Sequence, residues 1–109
     1  MPKFLVHANY TAEGTKGLLK EGAAHRRKAV EQLLVSLGGR LEAFYFTFGE
    51  DDAILIIDLP DTESALSVGF AVRASGMVQS KTTVLMAIED VERAIEHHVK
   101  YAPPGASSE

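Results

Sequence analysis

The stretch RLEAFYFTFGEDDAILIIDL, Arg40 to Leu59, reads as two strands around a polar turn and is apolar on both of its faces. Side chains alternate along a strand. Pairing Gly49 with Asp52 around a Glu50 and Asp51 loop therefore puts Phe44, Phe46 and Phe48 on one face with Ala53, Leu55, Ile57 and Leu59. The other face carries Ala43, Tyr45 and Thr47 with Ile54, Ile56 and Asp58. A single layer of helices covers only one of these faces. The second requires a partner or a ligand.

Outward from this hairpin, Lys3 to Tyr10 alternates as a further strand, with Phe4, Val6 and Ala8 opposed to Leu5, His7 and Asn9. Gly14, Gly17 and Gly22 each cost about 1 kcal/mol relative to Ala in a helix interior, which predicts only a short helical turn over Lys16 to Lys20. Ala23 to Leu37 is the better helix, with Ala23, Val30, Leu33, Leu34 and Leu37 on one stripe and Gly38 placed to end it. After Pro60, Asp61 is positioned to cap a helix with Ala65, Leu66, Val68, Gly69 and Val72 on its buried side, stopped at Gly76. Met77 to Ile88 reads as a strand. Val91, Ile95 and Val99 mark a last, weakly amphipathic helix.

The resulting order predicts an α+β, ferredoxin-like βαββαβ fold, a four-stranded antiparallel sheet with both main helices on one face and an extra C-terminal helix. With 109 residues the chain holds one core, so a single domain is expected over residues 1–102, followed by a flexible tail from Pro103 to Glu109.

Composition limits function. A net charge of −4 argues against a broad phosphate-binding surface, so nucleic acid is not an expected partner. The absence of cysteine rules out disulfides, thiolate ligands and a thiol nucleophile. Met1, Pro2 and Lys3 lead straight into a strand pattern without a signal-peptide core, and the longest apolar runs are far shorter than a membrane span, which predicts a soluble cytoplasmic protein. No HxxxH or HExxH spacing occurs, and His97 and His98 point about 100° apart on a helix, so neither a metal nor another cofactor is expected. The run His25, Arg26, Arg27 and Lys28, flanked by Glu21 and Glu31, reads as a solvated helix face.

KFLVHANYT (Lys3 to Thr11), GLLKEG and SLGGRLEAFYFTFGE together resemble the GYD domain family of small bacterial and archaeal proteins, over nearly the whole chain. The signature at the central turn is present through Gly49 and Asp52, with Asp51 standing where tyrosine is expected. Such proteins are similar to the dimeric α/β barrel group, which includes small monooxygenases, isomerases, dehalogenase-like domains and stress-response proteins. The resemblance implies the fold and self-association. It carries no catalytic residue over to this chain.

The candidate site is the open sheet face, where the pattern gathers His7, Asn9, Tyr45 and Asp58. His7 and Asp58 lie on strands expected to be neighbours, so a carboxylate-oriented imidazole acting as general base beside Tyr45 is one reading. The other, which is preferred, is that these groups hydrogen-bond across a dimer interface or face water. The expected function is an oligomeric ligand-binding or assembly module, partnered by its own copies, with a small-molecule ligand as the second candidate partner. The alternative is a cofactor-independent monooxygenase- or isomerase-like enzyme acting on an aromatic compound. The two differ in whether a cleft of about 300 Å³ with converging polar groups exists.

Overall fold

The computed structural model describes residues 1–106. In chain order the elements are β1 (Lys3–Tyr10), α1 (Ala12–Glu21), α2 (Ala23–Ser36), β2 (Arg40–Phe46), β3 (Ala53–Asp58), α3 (Thr62–Ala74), β4 (Val78–Leu85) and α4 (Ile88–Ile95). The four strands form one sheet in the order β2-β3-β1-β4, antiparallel at each ladder. This is the ferredoxin-like arrangement the pattern predicts. Phe4, Ala8, Ala53, Leu55, Ile57 and Leu59 meet Leu34 of α2 and Ala65 of α3 in the core. Among the described residues no helix is long and apolar enough to cross a membrane.

Most helix ends sit where the sequence places them. Gly38 takes a left-handed φ of 79°, and the amides of Gly38 and Gly39 close α2 on the carbonyls of Val35 and Leu34. Asp61 caps α3 by accepting from the Ser64 amide at 2.7 Å.

Four expectations are corrected. The first helix is ten residues long rather than a short turn, because tertiary contact outweighs glycine propensity. Thr11 caps it by accepting from the Gly14 amide, and the Thr11 amide donates to Met77 O at 2.9 Å. Gly14 is required there: a Cβ would lie 1.9 Å from that same carbonyl. The central hairpin has slipped by two residues, pairing Phe46 with Ala53 and Phe44 with Leu55, and β2 bulges between Leu41 and Ala43. An even slip preserves which residues share a face. It removes Phe48 from the core, however, and leaves that ring fully exposed in a Thr47–Asp52 loop. On α3, Leu66 is exposed rather than buried. The last strand ends at Leu85, and α4 starts at Ile88, where the Asp90 carboxylate accepts from the Ala87 amide, and stops at Ile95 without Val99. The expected flexible tail falls partly on residues 107–109, outside the described residues; before them Pro103–Ala106 close a turn.

Candidate functional site on the open sheet face

Because Phe4, Val6 and Ala8 face the helices, Lys3, Leu5, His7 and Asn9 project from the other side of β1. The ladders place Ile54, Ile56 and Asp58 of β3 and Lys81, Thr83 and Leu85 of β4 beside them, and Tyr45 beyond Ile54 on β2. This face has an apolar middle of Leu5, Ile54 and Ile56 and two polar ends.

At one end Asp58, only 4% exposed, accepts from Lys3 Nζ at 2.9 Å and from Arg40 Nε at 3.0 Å. Burial pushes its carboxyl up, but the two cationic donors more than offset that and hold it below the usual carboxylate range. Lys3 also donates to Glu42 at 2.8 Å, a residue brought within reach by the β2 bulge. The Glu42 bond, reinforced by Asp58, raises the Lys3 ammonium above its ordinary value. Asp58 is therefore a structural anchor between β1, β2 and β3.

At the other end His7 Nδ1 lies 2.9 Å from Asp51 Oδ2, and Asn9 Nδ2 donates to Asp51 Oδ1 at 2.8 Å. The Asn9 bond, with the His7 contact and the nearby charge of Lys81, holds the Asp51 carboxyl below its usual range against the opposing effect of burial. An ionised Asp51 can only accept, so Nδ1 of His7 is the donor in this contact.

The structure thus brings together His7 and Asn9, but through Asp51. The expected approach of His7 to Asp58 does not occur: His7 sits opposite Ile54 and Asp58 opposite Lys3, about 13 Å further along the strand. Tyr45 is 71% exposed, and Ile54 stands between it and His7, two strand spacings or about 10 Å. The sequence pattern puts Asp51 at a hairpin tip and so does not mark it as a site residue. The signal that finds it is the β1–β3 register: Ala8 opposite Ala53 places the two preceding aspartates beside Asn9 and Tyr10. Asp52 confirms that placement, its carboxylate accepting from the Tyr10 amide at 2.9 Å.

On the opposite side of the sheet, α2 and α3 leave an apolar cleft of about 160 Å³ lined by Val6, Phe44, Leu55 and Val68, with Tyr10 and Arg26 at its margin. Burial raises the Tyr10 phenol. Arg26 turns inward, its Nε 3.6 Å from Glu21 Oε2, and both atoms are buried without a hydrogen-bond partner. Among the described residues no three His, Asp or Glu side chains converge as metal ligands.

These features define a ferredoxin-like α+β domain with one sheet face uncovered by its own chain. The GYD domain profile matches residues 4–95, and the chain belongs to the GYD domain family. No curated protein sequence matches it. Among solved structures it is similar to MtbAldR (Rv2779c), with a TM-score of 0.55 and 20% identity over 94% of this chain and 57% of that one. The chain spans little more than half of that neighbour's length, and the likeness is one of fold.

Proposed function

We propose that this GYD domain is the protomer of a cytoplasmic homodimer, or of a larger homo-oligomer built from it, serving as a ligand-binding or assembly module. The open sheet face is the interface. The observation that carries the reading is the apolar middle of that face: Leu5, Ile54 and Ile56 are only partly buried by their own chain, and Tyr45 stands exposed beside them. The polar ends support it, since Asp58 and Asp51 already have partners within the chain and cost little to cover. Stacked sheet faces pack about 10 Å apart, which suits these side chains. Sedimentation equilibrium of the wild type and of Ile56→Asp tests this. The wild type assembles and the variant returns to protomer mass; equal masses for both overturn the reading.

A cofactor-independent enzyme acting on an aromatic compound is the second reading, favoured by the His7 and Asp51 geometry. Two facts rank it lower. A larger depression of about 700 Å³ running along β4 past Asn9, Arg73 and Lys81 is open and of mixed polarity, whereas the apolar cleft behind the sheet, at about 160 Å³, is close to benzene size rather than the ~300 Å³ or more of typical substrate pockets. The apolar cleft also lies on the helix side of the sheet, whereas His7 lies on the other. A base and a pocket separated by a sheet do not form one active site. A thermal-shift titration with small aromatic compounds reports on the cleft, because specific binding raises the midpoint by mass action.

A further inference from the structure

Every described residue from Met86 to Ala106 is exposed. The molecule measures 64 × 31 × 24 Å with a radius of gyration of 18.1 Å, against about 13 Å for a compact domain of this length. The excess is the C-terminal arm that carries α4. Within α4, Ile88, Val91 and Ile95 fall at i, i+3 and i+7 on one stripe, while Glu89, Asp90, Glu92 and Arg93 occupy the other side. An isolated helix needs roughly 12–15 residues to be even marginal in water, and this one has eight. Capping at Ala87 and the Asp90 to Arg93 ion pair do not supply what is missing. Its apolar stripe needs a cover.

We infer that α4 is seated on a second copy of this chain, as an arm that extends the sheet-face interface. The inference rests on the homo-oligomer proposed above. Two observations select that occupant. The arm leaves the sheet directly after Leu85, which stands opposite Lys3 and so shares the open face with Leu5 and His7. Met86 to Ala106 are exposed throughout and the molecule is 64 Å long, so the chain continues outward rather than folding back onto its own sheet. Area is the second. Four strands about 4.8 Å apart and some 20–25 Å long give the face a flat footprint of roughly 450 Å², a small platform for an interface that usually takes ~800 Å² of accessible surface per partner. The arm, with Met86, Ile88, Val91 and Ile95 exposed, supplies apolar surface contiguous with that face.

The full-length double variant Ile88→Asp with Ile95→Asp tests the arm without touching the core or the sheet. Sedimentation velocity over a dilution series is expected to give a dimer dissociation constant raised about 100-fold or more, with an unchanged strand signature in circular dichroism. An unchanged constant overturns the arm and leaves the sheet-face reading standing. Tighter association of the variant overturns it also, because it means that α4 shields its own sheet. A wild type that is monomeric at every concentration removes both proposals together. Since the chain contains no cysteine, a single spin label at Ile95→Cys adds an independent check: a narrow distribution of distances between copies is expected, and a broad one in an otherwise dimeric sample contradicts the arm.

Discussion

β3 carries two sets of side chains of nearly the same chemistry and opposite fate. Leu55 and Ile57 point toward α2 and α3 and are buried, while Ile54 and Ile56, one residue along in each case, are covered only in part. The residue types do not explain the difference. What differs is that the chain returns two helices to one side of the sheet and none to the other. Alternation thus says that a strand is apolar on both sides; topology says which side the same chain covers.

This contrast is sharpest at the core. Phe4→Ala or Leu34→Ala, each deleting a fully buried side chain, is expected to cost about 3–5 kcal/mol in urea unfolding, a large share of the stability of a domain this size. Leu5→Ala, on the open side of the same strand as Phe4, is expected to cost about 1 kcal/mol or less when measured in dilution, where assembly does not contribute. Equal losses at the two positions would break the comparison.

Gly14→Ala ranks next. The added Cβ meets the Met77 carbonyl, so either α1 or the turn before β4 must shift, at an expected cost of about 1–3 kcal/mol by the same unfolding measurement.

Acid lability follows from the carboxyls. Asp58, Asp51 and Asp61 all have depressed values in the folded chain. Each therefore contributes stability that is complete above the unfolded value of about 4 and is lost as pH falls through the lower folded value. Asp58→Asn is expected to flatten that acid limb in thermal melts across the range, while lowering stability at neutral pH because Lys3 and Arg40 lose their shared partner. An acid limb identical to wild type would show that the anchor carries no linkage. Lys3 acts at the other extreme: its raised value gives stability present below about pH 10 and lost above it.

The smallest expected change is His7→Ala, which leaves urea unfolding in dilution close to wild type and alters assembly instead, since His7 lies on the open face beside Lys81. Loss of core stability without a change in association would contradict that placement.

Much of this molecule was legible in its residues, and the reasons for the misses are physical. Strand alternation fixed the faces of β1 and β3, and the even slip of the hairpin preserved those of β2. Asp61 and Gly38 announced helix ends through local chemistry. The contacts that sequence spacing does not encode were the ones misplaced. Gly14 counted against a helix until the Met77 carbonyl supplied the reason for a missing Cβ. Parity puts Phe48 on the core face, but the loop around it is set by Asp51 and Asp52 reaching back to β1. For the same reason the carboxylate beside His7 is Asp51 and not Asp58: register along a ladder, rather than neighbourhood of strands, decides which side chains meet.

The most direct test of a second copy on the open face is an isotope-filtered NOE experiment on a mixture of methyl-labelled and unlabelled protein. Cross-peaks between copies at the Ile54 and Ile56 methyls are expected. Their absence, with those methyls in contact only with water or with their own chain, contradicts the account.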